Sequence, residues 1–217
     1  LTLFRRQETL AVQLPDRGRG GSLPLRIDST GLKVRGEGES HTHKHGGALR
    51  RVWRKVHLAV DEATLEVRAV EFTDSSVGDA PMLPRRLAQI CKGAPIASVT
   101  ADGAYDARGC CGAIAKHGAD AIIPPGRNAR PLNKDSPAFR GRNEAMRAIG
   151  RAGRTIWQRW RGDQRRSRVE PKTNGMKLLG QRCVARDSER QTAELQVRIA
   201  VLNRIAAPGV LVTRPVG

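Results

Sequence analysis

Hydrophobic and polar positions first fall into a regular pattern at LPLRIDST, where Leu23, Leu25 and Ile27 recur at every second residue. That is the period of a half-buried strand, and Asp28 stands at its predicted end. The alternation returns in VWRKVHLAV, residues 52–60, and again in LEVRAVEF, residues 65–72, with the polar turn DEAT between them. Two alternating runs joined by a short polar turn predict an antiparallel hairpin. From about Asp79 the period changes: Ala80, Leu83, Leu87 and Ile90 share one helical face, and Gly93 and Pro95 predict its end. PIASVT predicts a fourth strand that delivers the chain to Asp102. A short helix runs through Ile114, and ADAIIPP predicts a fifth strand stopped by its two prolines. Residues 124–144 are polar and basic and predict a loop, followed by a helical region from about Met146. Leu195, Ile199, Leu202 and Ile205 mark a last helix. The order β-β-β-α-β-α-β followed by helix predicts an α/β fold, a mixed sheet with helices on its faces.

The regular pattern defines one domain over 24–206. It is preceded by an irregular leader, 1–23, whose PDRGRGGSLP has no apolar period, and followed by an unassigned tail, 207–217. A chain of 217 residues is long enough to bury a full core. Four cysteines without a Cys-x-x-Cys pair do not form a disulfide framework and fit reduced thiols in a cytosolic protein. No stretch approaches the roughly 20 apolar residues of a membrane span, and LTLFRRQETL lacks the apolar centre of a signal peptide. The expected setting is the cytoplasm, with no membrane.

Charge narrows the partners. The chain carries 39 Lys and Arg against 21 Asp and Glu, a net +18, and between Arg140 and Arg190 there are 15 basic and 5 acidic residues. Such an excess points to a polyanion, and nucleic acid comes first. With only three Trp, three Phe and one Tyr, a base-stacking surface is not expected. Binding should be to the backbone, salt-sensitive and independent of sequence.

Within that basic chain, three acidic residues carry the candidate chemistry. Mg²⁺ prefers oxygen ligands, commonly one or two carboxylates with water and substrate phosphate completing the shell. Two such ions can activate a water and stabilise a departing 3′ oxygen in phosphodiester cleavage. Asp28 and Asp102, after the first and fourth strands, meet that need if those strands are neighbours. Glu170 lies four residues after Arg166 and seven before Lys177. At about 100° per residue all three fall within roughly 40° on a helix, an acid for metal beside two cations for phosphate. Lys33 and Arg165 are further candidates for DNA phosphates.

These residues resemble a known family, the bacterial insertion-sequence transposases of the DDE type. The first Asp lies in IDSTGLKVRGEGE and the second in VTADGAYD. RRSRVEPKTNGMKLLGQR supplies Arg166, Glu170 and Lys177 in register with the Tyr–x2–Arg–x3–Glu–x6–Lys signature of one branch. The terminal AELQVRIAVLN is also similar, and the resemblance covers about 24–205. It implies a ribonuclease-H-like core and cleavage of DNA phosphodiesters, with strand transfer of the freed 3′ ends. Asp28, Asp102 and Glu170 would hold two Mg²⁺ ions, with Mn²⁺ as a substitute. The implied partner is double-stranded DNA, both transposon ends and target, and synapsis of two ends implies at least a homodimer. The chain departs from the pattern in three places. Asp163 stands where the signature has Tyr, Pro171 follows Glu170 directly and disfavours helix there, and the residues before the domain are too few for an end-binding region. These departures suggest a truncated, degenerate copy. Two alternatives therefore stay open, a non-catalytic DNA-binding remnant and a related metal-dependent nuclease.

Other residues take plainer readings. His41, His43 and His45, among glycines and far from any cysteine, fit a solvated basic loop near DNA better than a zinc site. Trp53 is expected to pack, Trp157 and Trp160 to be either core or a wedge against DNA, and Cys110 and Cys111 to lie buried or half-buried on a helix.

Overall fold

The computed structural model describes residues 21–34, 52–90, 94–132, 136–161, 175, 179–180, 182–185 and 187–206. Six strands form one mixed sheet: β1 Leu23–Val34, β2 Val52–Asp61, β3 Val67–Asp74, β4 Ile96–Thr100, β5 Asp120–Ile122 and β6 Arg182–Cys183. The order across the sheet is β3-β2-β1-β4-β5. β2 runs antiparallel to both β1 and β3, β4 is parallel to β1 and to β5, and β6 is added in parallel at the far end of β1. The helices are α1 Leu83–Gln89, α2 Arg108–Lys116, α3 Pro137–Ala152, α4 Arg154–Arg161 and α5 Ser188–Ala206. This is the expected mixed α/β architecture, a ribonuclease-H-like fold.

β1 is longer than its alternation suggests, and Asp28 lies in its middle rather than at its end. The reason is a change of buried face. Leu23, Leu25 and Ile27 face the cluster covered by α1 and α2, whereas Leu32 and Val34 face the cluster covered by α5. The period of two is unbroken, but the apolar residues switch from odd to even positions at Asp28, which hides the continuation. Pro24 is tolerated in this central strand because the pairing with β4 shifts register between Leu23 and Pro24.

On the opposite side of the sheet, Leu195, Ile199 and Leu202 of α5 are buried against Val56, Leu58, Val60 and Val67. Asn203 of α5 clamps the start of β3, its Oδ1 accepting from the Val67 amide at 2.8 Å and its Nδ2 donating to the Val67 carbonyl at 2.9 Å. Ile205, counted with the apolar face of this helix, is 65 % exposed and lies off it.

The loop expected over 124–144 is shorter than that, since α3 already begins at Pro137. Proline suits the first turn of a helix, where its missing N–H is not needed. The expected helical region from about Met146 is the second half of α3; no hydrophobic period marks the first half, where the buried Arg142 and Asn143 are polar. Gly153, at φ 85, breaks the chain between α3 and α4, a conformation that other residues rarely adopt.

Candidate active site

The pairing of β1 with β4 leads up to the candidate site. Arg26 pairs with Thr100, the last rung between the two strands, and Asp28 and Asp102 each lie two residues beyond it. Asp102 is still extended, at φ −77 and ψ 176. An offset of two residues keeps the face of a strand, so Asp28 and Asp102 occupy matching positions just past the last shared rung. Their face is the one shared by Leu58, which pairs with Asp28 and belongs to the cluster under α5. Beyond Arg26 this edge of β1 has no strand partner among the described residues until β6 joins at Lys33. The pair therefore lies where two central parallel strands part, the crevice in which open α/β sheets bind ligands.

Each carboxylate is oriented locally. Asp28 is half-buried, and its Oδ1 accepts from the Ser29 amide at 2.9 Å. Asp102 is exposed and caps a single 3-10 turn, Gly103–Tyr105, its Oδ1 accepting from the Ala104 amide at 2.9 Å. The residues after it are anchored. Tyr105 is 2 % exposed, and burial pushes its hydroxyl up to about 12 despite Arg86 beside it, so it stays a neutral phenol. Asp106 forms an ion pair with Arg142 of α3 and accepts from the Gly126 amide at 2.9 Å. Arg142 Nη2 contacts Asp106 Oδ2 at 3.1 Å, and its Nη1 also donates to the Arg130 carbonyl. The buried Arg142, a position with no apolar signal, thus fixes the loop that follows Asp102.

Glu170, Arg165, Arg166 and Lys177, with Asp163, Pro171, His41, His43 and His45, lie outside the described residues. Lys33 does not join the pair. It sits on the opposite face of β1, ~16 Å further along at the usual strand rise, with its ammonium 5.5 Å from the ring of Trp53. Trp53 is itself 39 % exposed. Trp157 is buried in the core and Trp160 is exposed, which separates two residues the sequence left alike. Cys110 and Cys111 are buried on α2 as free thiols, and burial pushes Cys110 up to about 11.

The oxygen donors of Asp28 and Asp102 suit a hard divalent cation, and the exposure of Asp102 leaves room for water and phosphate in its shell. Among the described residues no group of three or more His, Cys, Asp and Glu is arranged to hold a metal. No helix of the described residues is long and apolar enough to cross a membrane.

Behind the pair, on the other face of the sheet, lies a polar cluster that the sequence did not announce. His57, fully buried, places Nε2 2.8 Å from Thr73 Oγ1 and Nδ1 3.2 Å from Asp79 Oδ1, and Lys55 Nζ is 2.9 Å from Asp79 Oδ2. Burial pushes Asp79 up, but hydrogen bonds from Lys55 and Ser29 outweigh it and hold the carboxyl below its ordinary range. Burial and then Arg86 lower His57 to about 4 against the pull of Asp79. A histidine depressed in the fold is protonated more readily when unfolded, so its contribution is full above about 6.5 and declines as pH falls toward 4. The expected result in urea titrations is a loss approaching about 1.4 kcal/mol per pH unit over that window, with the slope absent in His57→Gln.

The sheet order, the parting strands and the acidic pair together define a ribonuclease-H-like domain with a carboxylate-lined crevice. Residues 20–204 match the family described as Transposase DDE domain, and the chain belongs to that family. Membership assigns it to transposition, as an enzyme class acting on DNA, and such families use divalent metal ions.

Proposed function

We propose that this chain is the catalytic domain of an insertion-sequence transposase, which cuts DNA phosphodiesters and joins the freed 3′ ends to a target, with Asp28, Asp102 and Glu170 as its metal-holding carboxylates. The observation that supports the reading is the β1–β4 register, in which Asp28 and Asp102 each follow the last shared rung by two residues. The bound ions, two Mg²⁺ or Mn²⁺, would supply an activated water or 3′-hydroxyl and stabilisation of the departing oxygen. The chain's own residues supply the rest. Asp28 and Asp102 present negative oxygens held in place by the Ser29 and Ala104 amides. Arg166 and Lys177, flanking Glu170 in sequence, hold phosphate oxygens with Arg165 nearby. No side-chain nucleophile is required. The test is nicking of supercoiled plasmid in Mg²⁺, with a strand-transfer assay to separate a transposase from a nuclease that only hydrolyses. Salt-sensitive binding without any cleavage would instead support the non-catalytic remnant.

DNA contact is supported by the outer stripe of α3. Arg140, Arg147 and Arg151 are exposed and, at about 100° per residue, lie within roughly 40° of one another, with Glu144 the one acid on that stripe. The logarithm of the affinity for an unrelated duplex should fall linearly with the logarithm of salt concentration. Arg147→Gln and Arg151→Gln should each reduce that slope by about 0.9, the contribution of one phosphate contact. Slopes equal to the parent's would remove this face from the interface.

A further inference from the structure

Arg86 sits on α1, on the opposite side of the sheet from the acidic pair, and is completely buried. Its guanidinium lies beneath the rung that joins Asp28 to Leu58. Nη1 donates to the Leu58 carbonyl at 3.0 Å and to the Asp28 carbonyl at 3.4 Å, Nε to the Met82 carbonyl at 3.3 Å, and Nη2 to the Tyr105 hydroxyl at 3.1 Å. The guanidinium also lies 5.3 Å from the centre of the Tyr105 ring. All of these acceptors are neutral. A buried cation satisfied only by neutral groups gives up much of its hydration for modest return, and an apolar side chain could fill a helix–sheet interface at lower cost. The distinctive property of the arrangement is where its two ends attach. One end grips the backbone of Asp28. The other grips the side chain three residues after Asp102, at the end of the single turn that Asp102 caps.

We propose that Arg86 is a positioning residue for the carboxylate pair, its guanidinium and the Tyr105 hydroxyl forming a brace that holds the Asp28 strand and the Asp102 turn at a fixed separation. β1 and β4 share no rung beyond Arg26 and Thr100, so strand pairing does not set that separation at the site itself. A turn of three residues has little rigidity of its own. The brace supplies it from the face of the sheet opposite the carboxylates. The inference rests on the reading of Asp28 and Asp102 as a metal-holding pair.

The experiment uses the full chain and Mn²⁺ as probe, with binding followed by electron paramagnetic resonance, backbone hydrogen exchange followed by mass spectrometry, and thermal unfolding. Tyr105→Phe keeps the buried ring and removes only the hydroxyl, and Arg86→Lys keeps the charge but cannot span both ends. Each is expected to weaken Mn²⁺ binding by about 10-fold or more, the usual consequence of losing an outer-shell partner. Each should also speed exchange in β1 around Asp28 and in Gly103–Tyr105 together, while α2 stays protected. If Arg86→Lys does not fold, Tyr105→Phe decides. A lower melting temperature with parental Mn²⁺ affinity makes the contact merely structural and overturns the brace, as does weakened binding without faster exchange. Asp28→Asn and Asp102→Asn separate the two levels of the argument. If they lose Mn²⁺ while Tyr105→Phe retains it, the brace falls and the pair stands. If they bind as the parent does, the pair itself falls and the brace with it.

Discussion

Replacing Asp28 or Asp102 by Asn is expected to abolish Mg²⁺-dependent nicking by this chain. The substitution is informative because of how each side chain is held. Asp28 Oδ1 accepts from the Ser29 amide and Asp102 Oδ1 from the Ala104 amide. An Asn carbonyl oxygen can accept the same bonds at nearly the same place. The turn after Asp102 and the course of β1 should therefore survive, and what disappears is negative charge. A divalent cation depends on that charge for affinity. Nicked product measured against time on supercoiled plasmid should fall to background in each single variant, with DNA binding and melting temperature close to the parent's. Undiminished cleavage in both variants would sink the assignment of the pair.

The second large effect concerns stability. Arg142→Met should leave Asp106 without its cation in a place where both side chains are 9 % exposed. Removing one partner of a buried ion pair costs about 3–5 kcal/mol, because the remaining charge is stranded. In a domain of this size each kcal/mol shifts the midpoint by roughly 2–4 °C, so a fall on the order of 10 °C is expected. Adding Asp106→Asn should recover part of it, since the stranded charge is removed while the Gly126 amide keeps an acceptor. A shift under about 2 °C in the single variant would mean that water already screens the pair.

Much of the architecture is legible in the amino-acid pattern. The hairpin of β2 and β3, the helix around Leu83 and Leu87, and the strand leading to Asp102 all follow from apolar periods that tertiary packing respects. The departures have two causes, burial of polar groups and a change of buried face along one strand. The first half of α3, up to residue 144, reads as loop in the sequence because Arg142 and Asn143 occupy inward positions. β1 was cut short because its apolar residues change faces at Asp28. Arg86 could have been found, since position 86 is three after Leu83 and four before Ile90 and so shares their inward face. The apolar period that marked this helix does not include it, because a charged residue gives no hydrophobic signal. For the site, VTADGAYD contained more than its first Asp: the Tyr105 and Asp106 that follow are the two residues through which the fold grips the turn. The Arg166, Glu170 and Lys177 spacing lies outside the described residues, and its role remains a proposal resting on sequence alone.

The attachment of β6 and α5 to the first strands has a consequence for how the chain is born. β1 begins at Leu23, yet the rung at Lys33 and Val34 needs Arg182 and Cys183, and the amide of Val67 waits for Asn203. The second core cluster, with Leu32, Val34, Val56, Leu58 and Val60, therefore has no cover until α5 has left the ribosome. Closure over such long separations is slow, and an uncovered apolar sheet face is prone to aggregate meanwhile. The yield of folded protein is therefore expected to depend on translation speed through the segment before α5.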